Sequence, residues 1–412
     1  SSFVIRHSSF VIRHFMQPKP TVASYCTTFL KPEMRHIYRQ VTGLRRYDTF
    51  VMTRERQCAE EFPFGEIELI PRARKNFIKR FWLKYIRRLP PVYYRGELQV
   101  LIKMLKRRPA DLMHIYFGHT GVHLLPFIQE WDRPCVVSFH GMDIQPRPQQ
   151  EGYDDQMAEL LRTVPLVLAR SESLAEQLVA LGCPREKIRL NRTGIPLESY
   201  PPMERTAPED GAWVFVQACR LVEKKGLATT LEAFARFHRH HPQSWLIIAG
   251  EGPMKTKAAD MTRTLGIHAV VEFRGFLSQP ELAQLFAKSH IFLHPSETTK
   301  DGNVEGVPNS MLEAMATGLP VVATRHGGIP EAVTHERDGL LVPEKDADAL
   351  YEAIVRMTSE PGLWQAYGTA AAKAVREKFE QSRSIEQLEA IYDEALALRP
   401  ARAGSPRPRR DP

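Results

Sequence analysis

Residues 301–324 read Asp301-Gly-Asn-Val-Glu-Gly-Val-Pro-Asn-Ser-Met-Leu-Glu-Ala-Met-Ala-Thr-Gly-Leu-Pro-Val-Val-Ala-Thr324 and combine four local signals in order. Glycine and proline keep the first third in a loop, and an apolar pattern with helical spacing begins at Ser310. Gly318 suits the left-handed residue that ends a helix, and the proline two residues later prevents its continuation. Residues 320–324 have the length and composition of a buried strand. The stretch therefore predicts a loop, a helix, a turn and a strand.

Two carboxylates, Glu305 and Glu313, lie on either side of the predicted helix start. Unpaired backbone N–H groups and the helix dipole favour an anion at such a position. Carboxylates accept hydrogen bonds from hydroxyl groups. The combination suits a nucleotide sugar, with the helix end facing the diphosphate and the carboxylates holding hydroxyls of the sugar and the ribose.

A purely structural interpretation explains the same residues. Ser310 followed three residues later by Glu313 is also a capping box, in which the glutamate only stabilises the helix start. Glu305 is then an ordinary loop carboxylate. This stretch alone leaves both interpretations open, because short motifs often match by chance.

Residues on both sides of this stretch resemble the donor site of the family 4 retaining glycosyltransferases. The resemblance rests on Glu305 and Glu313 with seven residues between them, on residues 314–324 and 327–331, on the Arg220…Lys225 segment and on Gly250-Glu-Gly-Pro253. It covers most of the second half of the chain. It implies an α/β protein of GT-B architecture, in which two Rossmann-like β/α/β domains face a cleft and a C-terminal helix crosses back to the first domain.

The resemblance also implies roles for single residues. In the matching family segment an arginine and a lysine five residues later bind the donor phosphates, and Arg220 and Lys225 have this spacing. Such a cationic pair at a strand-to-helix turn suits a diphosphate, whereas Lys224 is expected to face solvent. Glu305 is expected to hold the transferred sugar and Glu313 the ribose diol. Further donor contacts are expected at Gly252, Phe276, Gly306, Val307, Asn309 and Ser310, with no metal or other cofactor required.

The first half of the chain alternates apolar runs with amphipathic stretches, which predicts β/α units on a parallel sheet. Ligands of such sheets bind beyond the carboxyl ends of the strands, where the loop at residues 27–35 and the segments 118–121 and 140–143 are expected to lie. His140, directly after a predicted strand, can contact a sugar hydroxyl or stabilise developing charge. A structural histidine explains the same placement. The resemblance implies that His140 lines the cleft against the donor sugar and takes part in catalysis.

One loop departs from the family pattern. Residues 27–35, Thr-Thr-Phe-Leu-Lys-Pro-Glu-Met-Arg, contain no glycine, whereas family members often have a Gly-Gly loop that lets the backbone approach the donor phosphates. Lys31 or Arg35 is expected to compensate through its charge. Residues 35–40 resemble a subgroup that acts in exopolysaccharide assembly, similar to colanic-acid-type transferases.

A length of 412 residues exceeds what one core supports and indicates two domains. Residues 1–14 repeat Ser-Ser-Phe-Val-Ile-Arg-His twice ahead of Met16, which we expect to be the natural initiator. The predicted segments are a non-native repeat extension (1–15), an N-terminal acceptor-binding Rossmann-like domain (16–200), a C-terminal donor-binding Rossmann-like domain (209–380), a crossover helix (381–399) and a disordered tail (400–412).

Composition restricts the location and the partners of the protein. No apolar run approaches the ~20 residues that span a bilayer, and no secretory signal is visible. The five cysteines lack metal or redox spacing, which favours a reducing cytoplasm, and the net charge of +8 favours anionic partners. His114, His119 and His123 suggest a metal site, but only the last two share helical spacing, so we expect none.

Residues 72–108 form a second unusual stretch. Its basic residues include Arg72, Arg74, Lys75, Lys79, Arg80, Lys84, Arg87 and Arg88, which interleave with Phe77, Phe81, Trp82, Tyr85 and Ile86. The spacing predicts a basic amphipathic helix. This is either a domain helix with a solvated basic face or a surface that docks on anionic lipid near a lipid-linked acceptor. We favour docking, hence a peripheral protein at the inner face of the cytoplasmic membrane; no nucleic-acid motif accompanies the charge.

The sequence therefore predicts a retaining hexosyltransferase-type enzyme. It would move a sugar from a UDP- or GDP-sugar to a carbohydrate or lipid-linked acceptor, in exopolysaccharide or cell-surface glycan synthesis. Another GT-B enzyme, such as an epimerase or phosphorylase, would need catalytic groups that nothing in the sequence singles out. An inactive nucleotide-sugar-binding or scaffold protein of a polysaccharide assembly complex is the remaining alternative, suggested by the missing Gly-Gly loop.

Overall fold

A computed structural model describes residues 18–31, 34–71, 77–144, 152–300, 302 and 304–398. The repeat at residues 1–15, the tail at residues 400–412, part of the basic stretch (72–76) and two residues of the donor-site loop (301 and 303) lie outside the described residues.

Two runs of alternating strands and helices make up the described chain. The first contains β1 (Thr21–Phe29), α1 (Arg35–Gly43), β2 (Asp48–Arg56), β3 (Ile67–Leu69), α2 (Phe77–Phe81), a π-helix (Trp82–Ile86), α3 (Pro91–Tyr94), α4 (Glu97–Arg107), β4 (Leu112–Tyr116), α5 (Gly118–Glu130), β5 (Cys135–Phe139), a 3₁₀ turn (Met142–Ile144), α6 (Tyr153–Thr163), β6 (Leu166–Ala169), α7 (Glu172–Ala180), a 3₁₀ turn (Arg185–Lys187), β7 (Ile188–Leu190) and a 3₁₀ turn (Leu197–Ser199). The second contains β8 (Val214–Ala218), a 3₁₀ turn (Glu223–Lys225), α8 (Leu227–His240), β9 (Trp245–Ala249), α9 (Lys255–Thr264), β10 (Val271–Gly275), α10 (Gln279–Ala287), β11 (Ile291–His294), α11 (Asn309–Ala316), β12 (Val321–Thr324), α12 (Ile329–Ala332), β13 (Leu340–Val342), α13 (Ala347–Ser359), α14 (Pro361–Lys378) and α15 (Gln381–Ala397).

Each run forms its own parallel sheet. The strand orders are β3-β2-β1-β4-β5-β6-β7 and β10-β9-β8-β11-β12-β13, and neighbouring strands pair in parallel throughout. Every residue of β4, β5 and β6 is buried, because helices cover both faces of the sheet. The predicted α/β class with two Rossmann-like sheets is confirmed.

Local patterns located the elements of the 301–324 stretch. The helix predicted from Ser310 is α11 (Asn309–Ala316), and the strand predicted at residues 320–324 is β12 (Val321–Thr324). The predicted loop at residues 27–35 is partly wrong, because residues 27–29 continue β1 and Arg35 begins α1; residues 32 and 33 lie outside the described residues. Residues 118–121 follow β4, as expected, and are the first turn of α5. Gly118 is required there because a Cβ atom would lie 2.0 Å from the Phe139 ring.

The last helix, α15, packs against the first sheet although the chain reaches it from the second. Its Leu388, Ile391, Tyr392 and Ala395 share an apolar cluster with residues of β1, β4, β5 and β6. The Tyr392 hydroxyl lies 2.7 Å from His114 Nδ1, and Arg46 pairs with Glu389 at 3.2 Å. Among the described helices, none is both long and apolar enough to cross a bilayer.

Candidate active site

A lysine–glutamate cluster lies where the two halves of the chain meet. Lys225 Nζ forms an ion pair with Glu305 Oε2, and Lys224 Nζ lies 3.8 Å from the same oxygen. Burial tends to raise the pKa of Glu305, but the charges of Lys225 and Lys224 outweigh it and bring the pKa to about 2. Glu305 is therefore ionised at neutral pH. The prediction that Lys224 faces solvent is wrong, since its side chain is only 15% exposed.

Close backbone packing positions Lys225 between β8 and α8. Gly226 has φ 60°, and a Cβ atom there would lie 1.8 Å from the Pro295 carbonyl oxygen, so only glycine fits. The Gln217 side-chain amide donates to the Lys225 carbonyl at 2.7 Å. The turn that carries Lys225 is thus fixed by its hydrogen bond to the sheet.

The Arg220 turn packs on the glycine loop after β9. A Cβ atom on Gly252 would lie 2.4 Å from the carbonyl oxygen of Leu221, and the Leu221 amide donates to the Glu251 carbonyl at 2.9 Å. Arg220 is exposed, and no described carboxylate lies within 4 Å of its guanidinium. Its charge contributes to lowering the pKa of Lys224, after burial and Lys225. Phe276, directly after β10, is 57% exposed.

The loop that carries Glu305 is anchored by His326 and Glu344, which the sequence analysis missed. The Glu305 amide donates to His326 Nε2 at 2.8 Å, so the proton of this imidazole is on Nδ1, which donates to Glu344 Oε1 at 2.7 Å. A Cβ atom on Gly327 would lie 2.0 Å from the Glu305 carbonyl oxygen. The position of His326 before Gly327-Gly328 was the available sequence signal.

The helix α11 begins beside this loop, at Asn309. Ser310 is not its N-cap; the Ser310 hydroxyl donates to the Ala218 carbonyl at 2.5 Å. Glu313 accepts a hydrogen bond from Arg39 of α1 at 3.1 Å. The capping-box interpretation is therefore wrong. Glu313 is only 5% exposed; burial raises its pKa, and the charge of Arg39 opposes that rise.

His140 follows β5 in a loop held by a buried carboxylate. Asp143 accepts hydrogen bonds from the backbone amides of Gly118, His140 and Gly141 at 2.8, 2.8 and 2.9 Å. The His140 ring nitrogens lie 3.1 Å from His36 Nε2 and 3.1 Å from Ser138 Oγ. Burial and the charges of neighbouring side chains lower the pKa of His140 well below its usual value, so the imidazole is neutral at pH 7.

A further cation of the first half reaches α11. Arg170 follows β6 directly and donates to Thr193 Oγ1 and, at 3.3 Å, to Asn309 Oδ1. Burial lowers its pKa to about 10, and the nearby charges of Glu305 and Asp143 oppose this. The guanidinium therefore remains charged. Its position at the carboxyl end of a predicted strand was a signal that the sequence analysis did not use.

Two side chains were expected to compensate by charge for the missing glycines. Arg35 pairs with Glu61 at 3.2 Å, and its charge also opposes the rise in the pKa of Glu313, while Lys31 is exposed. The three histidines considered as metal ligands do not converge: His114 bonds to Tyr392, and His123 pairs with Glu97 at 2.6 Å. Within the described part of the chain, no group of three or more His, Cys, Asp or Glu side chains is placed to hold a metal ion.

Comparison with known proteins agrees with this architecture. Residues 34–199 match the family model "Glycosyltransferase Family 4", and residues 203–374 match "Glycosyl transferases group 1". The amylovoran biosynthesis glycosyltransferase AmsK of Erwinia amylovora is 32% identical, over 69% of this chain and 70% of AmsK. A protein of Escherichia coli K12 assigned to colanic acid biosynthesis as the glycosyltransferase WcaL is 37% identical, over 60% of this chain and 61% of its own length.

Among solved structures, Anabaena Alr3699/HepE in complex with UDP superimposes with a TM-score of 0.72 at 18% identity, covering 92% of this chain and all of that one. This likeness supports the fold. Together with the two family models and the identity to AmsK, it shows that the chain belongs to the family 4 glycosyltransferases of GT-B fold.

Proposed function

We propose that the protein is a retaining glycosyltransferase that moves a sugar from a UDP- or GDP-sugar to a carbohydrate or lipid-linked carbohydrate acceptor, in exopolysaccharide or cell-surface glycan synthesis. The relatives AmsK and WcaL, both named for polysaccharide biosynthesis, support the process. The UDP bound to HepE supports a nucleotide donor. The observation that carries the proposal is the buried cluster of Lys224, Lys225 and Glu305 beside the first turn of α11.

In this proposal the cations bind the diphosphate of the donor. Lys225 and Arg220 neutralise the charge that grows on the leaving diphosphate, and Lys224 adds a third cation that the sequence analysis had not assigned. Lys225 then exchanges its contact with Glu305 for a phosphate oxygen. Backbone amides of Val307, Asn309 and Ser310, at the start of α11, support the same anion. Because cations supply this stabilisation, the proposed reaction requires no metal or other cofactor.

The carboxylates hold the hydroxyl groups of the donor. Glu305, ionised and at the end of the lysine cluster, accepts from the transferred sugar. Glu313 accepts from the ribose diol, for which Arg39 has to share or release the carboxylate. Gly252 and Phe276 line the remaining side, with Gly306 in the loop between the carboxylates. Nucleotide binding is thereby coupled to a contact between the two halves of the chain.

The reaction retains the configuration at the anomeric carbon if the acceptor attacks on the face of the leaving group. The acceptor oxygen forms a bond to the anomeric carbon as the bond to the diphosphate oxygen breaks. The acceptor's proton passes to that departing phosphate oxygen. His140 contacts the sugar from the first half as a neutral imidazole, exchanging its contact with His36 or Ser138 for a sugar hydroxyl. Catalysis is then mainly positioning and electrostatics.

A donor screen tests the proposal on the full chain. UDP-, GDP- and ADP-sugars are compared by thermal shift and by release of the nucleoside diphosphate. We expect one nucleotide sugar to raise the unfolding temperature selectively, because a bound ligand stabilises only the folded state. The same nucleotide sugar should be hydrolysed slowly. The Lys225→Ala variant should lose this response. Absence of stabilisation by every donor would contradict the proposal, and binding without transfer to any glycan acceptor would favour the inactive binding protein.

The aromatic surface of α2 and the π-helix favours the docking interpretation of the basic stretch. Phe77 and Ile78 are 80% and 81% exposed, and Phe81, Trp82, Tyr85 and Ile86 are also exposed. A domain helix would have buried this face. We therefore propose that the protein is cytoplasmic and binds peripherally to an anionic membrane surface, in line with aromatic and basic residues at interfaces.

Charge reversal tests this docking. Replacing Lys79, Arg80 and Arg87 together by Glu should lower the affinity for phosphatidylglycerol vesicles, measured by co-sedimentation, by about 10²-fold or more, since each cation near an anionic surface contributes about 1 kcal/mol. The matched control reverses three exposed lysines of the second half, Lys257, Lys288 and Lys373. Unchanged co-sedimentation of the first variant would favour the alternative interpretation, a domain helix with a solvated basic face.

A further inference from the structure

Arg170 is a cation of the cleft that lacks a counter-ion. Its Nη2 donates to Thr193 Oγ1 and, at 3.3 Å, to Asn309 Oδ1, and both acceptors are uncharged. The remaining donors, on Nε and Nη1, form no hydrogen bond with any described residue, and no described carboxylate oxygen lies within 4 Å of the guanidinium. Most N–H donors of this side chain are therefore open to a ligand.

Two other arginines that join the halves of the chain are paired. Arg39 forms an ion pair with Glu313 at 3.1 Å, and Arg192 forms one with Glu331 at 2.8 Å. A charge removed from water is costly unless an opposite charge or hydrogen bonds compensate it. Burial lowers the pKa of Arg170 to about 10, so the group is still charged at neutral pH. A charged, partly buried arginine without a counter-ion indicates that the counter-ion is a ligand.

The position of Arg170 is fixed by the strand that precedes it and by contacts next to it. Arg170 directly follows β6, at the carboxyl edge of the first sheet, where ligands of parallel sheets bind. Two groups of this edge contact Glu331 of the second half: the Glu172 amide at 2.7 Å and the Arg192 guanidinium at 2.8 Å. The edge that carries Arg170 is therefore held against the second half.

Arg170 lies beside groups proposed to bind both the sugar and the diphosphate of the donor. It contacts Asn309, the first residue of α11, whose backbone amide is proposed to support the diphosphate. Burial lowers the pKa of His140, and the charge of Arg170 adds to this effect. The charge of Glu305 in turn opposes the fall in the pKa of Arg170. The donor anion closest to the sugar is the phosphate bonded to it, and Arg170 is placed to reach this group.

We propose that Arg170 is a further catalytic residue, which donates to the phosphate bonded to the sugar and stabilises this phosphate as it departs. The inference rests on the proposed function and adds to it a cation from the first half. As the bond between the anomeric carbon and the phosphate oxygen breaks, its electron pair stays on that oxygen. The acceptor oxygen bonds to the anomeric carbon, and its proton passes to the departing phosphate. Arg170, together with Lys225 of the second half, neutralises the charge that develops on the phosphate during this step.

This role also bears on the glycine-free loop after β1. Lys31 or Arg35 was expected to compensate for the missing glycines, but Arg35 pairs with Glu61 and Lys31 is exposed. Arg170 supplies a cation from the same half of the chain, and it contacts the first turn of α11.

Titration calorimetry on the full chain, with UDP, GDP, UMP and GMP as probes, tests the contact. Arg170→Met should bind the diphosphate that the wild type prefers about tenfold or more weakly, since a hydrogen bond to a charged group is worth roughly that factor. Its affinity for the matching monophosphate should be unchanged, because the contact is with the phosphate next to the sugar. Arg170→Lys, which keeps the charge but loses the planar fork, should retain part of the affinity. The control Arg263→Met, on α9 with a side chain 68% exposed, should bind normally.

Two further measurements separate a catalytic arginine from a structural one. Without nucleotide, the unfolding temperature of Arg170→Met should equal or exceed that of the wild type, because the change removes a charge that has no partner in the free protein. The rate of sugar transfer, measured with the donor identified by the screen, should fall by about 10²-fold in the same variant.

The outcomes distinguish this inference from the proposed function. Wild-type diphosphate affinity and transfer rate in Arg170→Met would overturn the role of Arg170. An equal loss of affinity for the diphosphate and the monophosphate would also overturn it, because the contact would not be with the phosphate next to the sugar. A lower unfolding temperature without nucleotide would make Arg170 a structural residue. Binding of neither UDP nor GDP to the wild type would instead contradict the proposed function, on which the inference rests.

Discussion

Lys225→Ala is expected to lower the rate of sugar transfer by about 10²–10³-fold, the loss seen when one pre-organised charge-stabilising donor is removed from an active site. Lys225 is the cation closest to Glu305, and the Gly226 turn fixes its backbone. The rate is measured as kcat with the donor identified by the screen. Arg220→Ala should show a loss in the same direction.

A folding check and a matched control allow a loss of kcat to be assigned to Lys225 itself. Lys224 remains 3.8 Å from Glu305 in the variant, so the carboxylate keeps a cationic neighbour and the fold should persist, as thermal unfolding without donor would show. Lys257→Ala, on the exposed face of α9, removes an equal charge and should leave kcat unchanged. Activity of Lys225→Ala within a few-fold of the wild type would exclude the assigned role.

Glu305→Gln is expected to reduce both transfer and stability. The change keeps the shape of the side chain but removes the charge that balances Lys225 and Lys224 in a poorly hydrated cluster. Loss of a charged contact to the sugar hydroxyls should lower the transfer rate by about 10²-fold or more. Unfolding by denaturant at pH 7 measures the second effect, for which the pKa of Glu305 gives on the order of 3 kcal/mol.

The pH dependence of stability supplies the control for this assignment. The pKa of Glu305 is about 2 in the folded protein, below the usual value of a glutamate, so its contribution is complete above about pH 5 and is lost as the pH falls toward 2. In Glu305→Gln the free energy of unfolding should therefore fall less steeply over this range. Parallel curves for the variant and the wild type would mean that Glu305 is not the ionised partner of the lysines.

Much of the fold followed from local patterns. The strand β12 came directly from the apolar run at residues 320–324, and the turn after α11 followed from Gly318, which has φ 79°. Such features depend on neighbouring residues in the chain, so the sequence is sufficient to place them. Residues 27–29 were predicted to belong to a loop, because no local signal marks the end of β1. They continue the strand because it pairs with β2 as far as Phe29.

The candidate site was predicted only in part. Lys225 and Glu305 were singled out from spacing and family resemblance, and they do lie together. The orientation of Lys224 could not be predicted, because adjacent lysines on a turn have no periodicity that distinguishes the buried side chain from the exposed one. The exposure of Phe77 and Trp82 was equally undetermined, since the helical pattern is the same whether the core or a membrane covers it.

The sequence alone thus gives the parallel sheets, the glycine turns and the family, because each depends on short-range pattern or on motif spacing. The packing of the two halves decides the rest. Arg39 reaches Glu313 and Arg170 reaches Asn309 across separations of 274 and 139 residues. These contacts exist because folding brings the two halves of the chain together and excludes water between them. A buried charge is energetically unfavourable without a partner, and only the tertiary arrangement determines which partner lies within reach.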